Sequence, residues 1–193
     1  MNAEKGKHPM NENKVLADLV LSDSTVHATV SAPIDRVDLA DWLGNLSDEE
    51  YQRCAPGEHK ACAQGITDDG RRETLNVEMI GTTLTIQHAV HDIFERHHLR
   101  LVSLSDALTP NGWTTSQGIW ELRVTDNGDG TCRLSNSILA HPTTEGMDFY
   151  EANGITFEQA AAARQEASDA HNHRETPNYA ASITRRALGA RGE

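Results

Sequence analysis

A histidine and a glutamate four residues apart, His171 and Glu175, stand in a long alanine-rich stretch near the C-terminus. In a helix, positions i and i+4 stack one turn apart, so this spacing supports three chemistries. The two side chains can form a hydrogen-bonded pair that fixes the helix end near Pro177. They can be a catalytic dyad in which the carboxylate orients the imidazole as a general base. They can also supply two ligands to one metal ion from a single helix face. His88, in TLTIQHAVHDIF (83–94), shares a strand face with Leu84, Ile86 and Val90 by simple alternation. That face is apolar and so predicted to point inward, opposite the His171–Glu175 pair, where His88 would serve as acid/base or ligand. Glu121 is a fourth candidate. Alternation in GIWELRVT (118–125) puts Trp120, Leu122 and Val124 inside and Glu121 outside, and only a bulge would reverse those faces.

These residues need elements to bring them together. The stretch from Ile155 to Leu188 reads as one helix. At about 100° per residue its faces separate. Ala160, Ala163, Ala167 and Ala170 make a small-residue ridge that can lie close to a sheet. Glu158, Gln165, Glu166, Asp169 and His173 face water. Phe157, Arg164, Ser168, His171 and Glu175 form a third stripe, predicted to border a cavity. Pro177 should kink, restart or stop this helix.

Ahead of the helix, the pattern is mostly of strands. STVHATVS (24–31) alternates, with Val26, Ala28 and Val30 on one face. Pro33 suits a helix start and Gly44 its end, with an approximate stripe of Ile34, Val37, Leu39 and Trp42/Leu43 between them. Ser47-Asp-Glu-Glu50 opens a second short helix, broken by Pro56-Gly57. Six strands then follow in hairpin succession. They are punctuated by Asp69-Gly70, Gly81, Asn111-Gly112 and Asn127-Gly128-Asp129-Gly130. The resulting order is strand, two short helices, six strands, long helix. It predicts an α+β fold in which a seven-stranded curved antiparallel sheet, closed by the C-terminal helix, encloses a cavity. Residues 1–13 are expected to be a mobile tail, 14–188 a single domain, and 189–193 a second tail.

The bulk numbers narrow the partners. Lys+Arg 17 against Asp+Glu 29 gives a net charge of −12, which argues against nucleic acid and anionic membrane surfaces. No apolar run reaches the roughly 20 residues of a membrane span, and the N-terminus lacks the apolar core of a secretory signal. Cys54, Cys62 and Cys132 have no CxxC spacing and read as thiols of a reducing, cytoplasmic compartment. No Gly-rich phosphate loop occurs. An exposed sheet edge can support a homodimer. Of the ten histidines, His91, His97, His98 and His173 read as solvated, and His141, before Pro142, as a loop residue at a cavity mouth.

Three segments resemble the START-like (SRPBCC) superfamily: the opening STVHATVSAPIDRVDLADWL (24–43), the hairpin GIWELRVTDNGDGTCRL (118–134), and the helix AAAARQEASDAHNHRETP (160–177). The superfamily includes pollen-allergen-type proteins, lipid-transfer domains and bacterial polyketide cyclases and aromatases. The resemblance spans about residues 24–188 and implies a helix-grip fold with an internal pocket. It does not imply a reaction, since the fold hosts carriers, receptors and enzymes. QHAVHDIFE (87–95), together with the C-terminal His-x-x-x-Glu, is similar to the diacetylphloroglucinol and phloretin hydrolases, which use zinc to hydrolyse a carbon–carbon bond of acylated phenols. That similarity implies zinc or another divalent metal as cofactor, with His88, His171 and Glu175 at ligand positions and Glu121 as the nearest acidic option for the fourth. The chain is shorter than those enzymes and lacks their N-terminal elements.

Three functions are compatible with these residues. The first is an enzyme acting on a hydrophobic aromatic or polyketide-like molecule through His171, Glu175 and His88. It would work either with a metal, as a C–C hydrolase, or without one, as a cyclase or dehydratase. The second is a non-catalytic carrier or sensor of a small hydrophobic ligand, and the third a structural protein whose cavity is filled by its own side chains. The polar stripe on the helix disfavours a pure carrier. An aromatic content of 5% and the small residues of the helix disfavour a filled core. Trp113, Gln117, Trp120, Ser103 and Ser105 complete the expected pocket lining with Phe157, Arg164 and Ser168.

Overall fold

The computed structural model describes residues 12–189. Seven antiparallel strands form one sheet in the order β1-β7-β6-β5-β4-β3-β2. They are β1 (Ser22–Val30), β2 (His59–Ile66), β3 (Arg72–Ile80), β4 (Thr83–Glu95), β5 (His98–Thr109), β6 (Gly112–Asp126) and β7 (Cys132–Pro142). Helices α1 (Leu39–Gly44) and α2 (Asp48–Cys54) separate β1 from β2, and α3 (Thr144–Ala152) leads to the long α4 (Phe157–Ala187). This is the seven-stranded sheet, the two short helices and the long terminal helix expected from the sequence. The first short helix differs in detail: Pro33 precedes a single 3-10 turn, Ile34–Arg36, and α1 starts afresh behind Asp38. Residues 1–11 of the expected tail and 190–193 lie outside the described residues, while Asn13 donates to Thr115 Oγ1 at 2.9 Å.

Local chemistry explains the element boundaries. Asp38, Ser47, Thr143 and Thr156 each accept a backbone N–H of the first turn of the helix they cap, each cap being worth about 1 kcal/mol. Thr156 and Gln159 complete a reciprocal capping box. The β2–β3 and β3–β4 turns place Gly70 and Gly81 at φ of 84° and 61°, a left-handed region that glycine enters without a Cβ penalty. Helix α4 runs unbroken through Pro177. Pro177 and His173 are both exposed, so the carbonyl deprived of its N–H partner lies on the solvent side, where water can replace the bond.

The concave side of the sheet is divided. At one end Leu99, Leu101, Leu122, Val124 and Leu134 pack with Trp42, Leu43, Tyr51 and Ile183 from the helices to form the apolar core. At the other end the inward residues are polar: Asn76 and Glu78 on β3, Thr85 on β4, Ser103 and Ser105 on β5, Thr114 and Ser116 on β6. The apolar partners in the same strands, Leu75, Val77, Leu84 and Ile86, point to the outer face, where they are only partly buried. None of the helices among the described residues is long and apolar enough to cross a membrane.

Candidate functional site

Four buried side chains converge where the polar end of the concave face meets the apolar core: His59, Glu78, His171 and Glu175. His59 is the first residue of β2, directly after the Pro56-Gly57 turn, with its ring stacked on Tyr51 at 3.8 Å between centroids. Glu78 comes from β3, and His171 and Glu175 from successive turns of α4. One ligand atom from each residue lies within 4.8 Å of all the others. His59 Nε2 is 3.1 Å from Glu175 Oε2 and 3.6 Å from Glu78 Oε2. His171 Nε2 is 3.4 Å from each of the same two oxygens.

Outer contacts fix every member of the cluster. His59 Nδ1 is 2.7 Å from the Tyr51 carbonyl; a carbonyl can only accept, so Nδ1 carries the proton and Nε2 is turned into the cluster. His171 Nδ1 donates to Glu58 Oε2 at 2.7 Å, and Glu58 is in turn bound by Arg174. Glu78 accepts from the Tyr51 hydroxyl at 2.9 Å and from Gln87 Nε2 at 2.5 Å. Glu175 accepts from Asn136 Nδ2 at 2.9 Å, and Asn136 Oδ1 accepts the Trp120 indole N–H at 2.8 Å.

One atom is left over. His171 is 1% exposed, and its Nε2 has no hydrogen-bond partner. A buried polar atom without a well-directed hydrogen bond costs free energy. Here Nε2 faces two carboxylate oxygens at 3.4 Å, an arrangement satisfied by its own proton, as an imidazolium, or by a cation held between them. The donor set and spacing fit a metal. An ion held tetrahedrally at about 2.0–2.2 Å from N and O donors sets donor–donor edges of roughly 3.3–3.6 Å. Of the four histidine–carboxylate edges, 3.6, 3.4 and 3.4 Å fall within that range and the fourth, 3.1 Å, lies just below it. Two imidazoles with two carboxylates suit a first-row divalent ion of the zinc type. The Nδ1–H contacts to a carbonyl and a carboxylate are the outer-shell arrangement that orients ligating imidazoles.

The electrostatics are consistent with a cation at the centre. Burial alone would depress the pKa of His171, but the charges of Glu175 and Glu78 outweigh it and hold it at about 11. Burial would raise the carboxyls of Glu175 and Glu78, yet the positive charge of His171 keeps both below their ordinary value. Burial and the charge of Glu78 push the Tyr51 phenol well above its usual range, so it stays a donor. Without a metal, the imidazolium of His171 supplies the charge that two adjacent buried carboxylates require.

Glu78 and Glu175 also line a small inner cavity of about 30 Å³, together with Ser103, Ser105, Trp120 and Tyr179. A larger cavity of about 360 Å³ opens beyond it, between Ile80, Ala107, Thr114 and Ser116 of the sheet, Phe149 and Tyr150 of α3, and Ala160, Ala163 and Ala167 of α4. The alanine ridge thus leaves space rather than closing on the sheet, and Ala170 is exposed.

The structure brings His171 and Glu175 together as expected from their spacing, and it places Trp120, Ser103, Ser105 and Arg164 in cavity walls. It corrects several other placements. His88 is exposed on the outer face, because the inward residues of β4 are Thr85, Gln87 and Ala89; it does not converge with the pair. Glu121 also points outward, bound by His98 at 2.7 Å and by Arg123, with no bulge in β6 beside it to turn it in. Trp113 is 56% exposed. Gln117 lies on the outer face, since Ser116 and Gly118 take the inner one. Ser168 is buried against β1, 3.1 Å from Ser22 Oγ, and Phe157 belongs to neither cavity wall. His141 is the penultimate residue of strand β7 and not a loop residue; it is buried, with Nδ1 2.7 Å from the Leu19 carbonyl. Sequence reasoning gave no role to His59 or Glu78. The available signals were weak: a histidine just after a Pro-Gly break, and a lone acid between Val77 and Met79.

No protein-family model matches the chain, and no curated protein matches its sequence. Solved structures do match. The Zhui aromatase/cyclase from Streptomyces sp. R1128 aligns with a TM-score of 0.57 at 15% identity, covering 86% of this chain and 93% of that one. The di-domain ARO/CYC StfQ from the steffimycin biosynthetic pathway aligns at 0.56 and 16% identity over 89% of this chain and 53% of that one. The di-domain ARO/CYC BexL from the BE-7585A biosynthetic pathway aligns at 0.51 and 13% identity, over 89% and 52%. At these identities the likeness establishes the helix-grip fold and leaves the chemistry to the site itself.

Proposed function

We propose that this protein is a divalent-metal-dependent enzyme of the C–C hydrolase type, acting on a carbonyl group of a small hydrophobic, aromatic or polyketide-like molecule. The observation that carries this reading is the buried two-histidine, two-carboxylate cluster, whose donor atoms all lie within 4.8 Å of one another and in which His171 Nε2 makes no directed hydrogen bond. His59 Nε2, His171 Nε2, Glu78 Oε2 and Glu175 Oε2 would hold the ion. When bound, such an ion polarises a carbonyl oxygen and makes water a stronger acid.

The chain's own residues do the rest. Glu78 and Glu175 face the inner cavity and the two imidazoles do not line it, so a substrate carbonyl approaches from the carboxylate side. Trp120 and Tyr179 wall that side and exclude bulk water, which strengthens every charge within. Tyr51 holds its proton and steadies Glu78. The reaction adds water across the acyl carbon–carbon bond. Oxygen bonds to the carbonyl carbon, the bond to the neighbouring carbon breaks, and its electron pair leaves as an enolate- or phenol-stabilised carbanion that takes a proton. The products are a carboxylic acid and the protonated fragment.

A second reading, a structural metal, is favoured by the four protein donors, since closed sites are commonly structural. Metal content by plasma mass spectrometry, on untagged protein never exposed to chelator, tests both. Wild type should carry about one ion per chain, and His171→Ala and His59→Ala should lose it. Absence of metal from wild type, with no uptake of added zinc, would end both readings. Turnover of acylated phenols or 1,3-diketones by loaded protein selects the enzyme. Full metal occupancy without turnover across that panel selects the structural role.

A further inference from the structure

We infer that Arg164 makes the cavity selective for a monoanionic substrate, one that presents a planar two-oxygen anion, such as a carboxylate or the enolate of a 1,3-diketone, on a hydrophobic body. Among the described residues Arg164 is the only one common to the walls of the inner and the outer cavity, so it stands where the two adjoin. Its Nε is buried and has no hydrogen-bond partner, and among the described residues the side chain makes no ion pair. The other arginines near the site are engaged: Arg174 with Glu58, Arg185 with Glu50 and Arg186 with Asp41. Thr114 Oγ1 in the outer wall is likewise buried and unpartnered, a hydroxyl free to donate to an anion in that cavity.

The charge count has the same sign. With a divalent ion bound, Glu78 and Glu175 are neutralised, and Glu58 is neutralised by Arg174, leaving Arg164 as one uncompensated positive charge beside the cavity. Arg164 is half-buried with its Nε shielded from solvent, and a partly desolvated cation gains from an anionic partner. The fixed fork of a guanidinium matches two coplanar oxygens better than any point charge does. Only this charge count rests on the proposed metal site; the missing partner of Arg164 does not.

The test is titration calorimetry on the metal-loaded full chain and on an Arg164→Gln variant, with two ligand pairs. One pair is 4-phenylbutyrate and its neutral amide. The other, titrated on the metal-free chain so that no hydrolysis consumes it, is benzoylacetone and its 2,2-dimethyl derivative, which cannot form the delocalised 1,3-enolate. Wild type should bind the anionic member of at least one pair roughly 10- to 100-fold more tightly than its neutral partner, the range expected for a charge-assisted bidentate contact. Which pair discriminates identifies the anion. In Arg164→Gln that preference should collapse while metal content and thermal midpoint stay unchanged. Equal binding of both members of both pairs by wild type would overturn the inference. So would a preference that survives in Arg164→Gln and disappears only when metal is removed, because the ion would then be holding the anion. If the protein takes up no metal, the same titrations on the metal-free chain still test Arg164, and the two failures remain distinct.

Discussion

The contact between Glu58 and His171 permits a quantitative test of the metal site at a residue that does not touch the ion. Glu58 Oε2 accepts the His171 Nδ1 proton at 2.7 Å, and its side chain is about a quarter exposed. If Nε2 ligates, Glu58 both fixes the ring and makes its far nitrogen more basic. Glu58→Gln keeps an acceptor of the same shape and removes the charge. A hydrogen bond to a charged group is worth about 1.5–3 kcal/mol and a neutral one about 0.5–1.5, so the substitution should cost about 1–1.5 kcal/mol of metal binding. That corresponds to roughly 5- to 13-fold in affinity. Glu58→Ala, which also frees the ring, should approach the upper end of the roughly 10- to 100-fold range seen for outer-shell partners. The assay is competition for zinc against a chromophoric chelator, with the denaturation midpoint of the metal-free protein as the folding control. Affinities within about twofold of wild type for both variants would refute the assignment of Nε2 as the ligating atom.

Other outcomes follow from the same geometry. In metal-free protein the stability should peak between about pH 4.5 and 6.5. The contribution of His171, whose pKa is raised from 6.5 to about 11, is complete below 6.5 and declines as pH rises toward 11. The contributions of Glu175 and Glu78, whose pKa values are lowered, are complete above 4.5 and fade as pH falls below it; urea titrations across this range should show both arms, and His171→Gln should flatten the alkaline one. Asn136→Leu leaves the Trp120 indole N–H and one oxygen of Glu175 unpartnered in the interior, which should cost about 2–5 kcal/mol in chemical denaturation, and the loss should exceed that of any outer-face substitution. His88→Ala should change stability by less than about 0.5 kcal/mol and leave the metal content alone, because that side chain is exposed.

The topology was legible because turns announce themselves. Asp69-Gly70, Gly81 and the Asn127–Gly130 run fall between strands of the final sheet, Asn111-Gly112 leads into β6, and the glycines in them take the positive φ that other residues resist. The His171–Glu175 pair was legible for a similar reason: helical spacing is a local property, and both residues are in one helix. The other half of the cluster joins segments far apart in the chain. His59 meets Glu175 across 116 residues, and no local pattern in either segment encodes that meeting.

The outward placement of His88 and the inward placement of Glu78 have one physical cause that reaches beyond these two residues. Alternation assigns the apolar side of a strand to the interior on the premise that the interior is apolar. The premise holds for β6, where Trp120, Leu122 and Val124 pack into the core, and there the faces were read correctly. It fails for β3 and the first half of β4, where the concave face borders a polar site. There Thr74, Asn76 and Glu78 are buried while Leu75, Val77 and Met79 stay partly exposed outside. Two of the buried polar side chains are matched, Glu78 by Tyr51 and Gln87 and Thr74 by Gln64 and His91, while Asn76 Oδ1 and Thr85 Oγ1 are not. Such an arrangement gives up the apolar burial that a filled core would gain, at about 25 cal/mol per Å², and keeps a set of aligned dipoles and charges in its place. A strand whose apolar side faces water and whose polar side faces inward therefore marks where the fold gives up packing for a site, and here that mark lies directly beneath His171 Nε2 and Arg164 Nε, the two unpartnered nitrogens of the terminal helix.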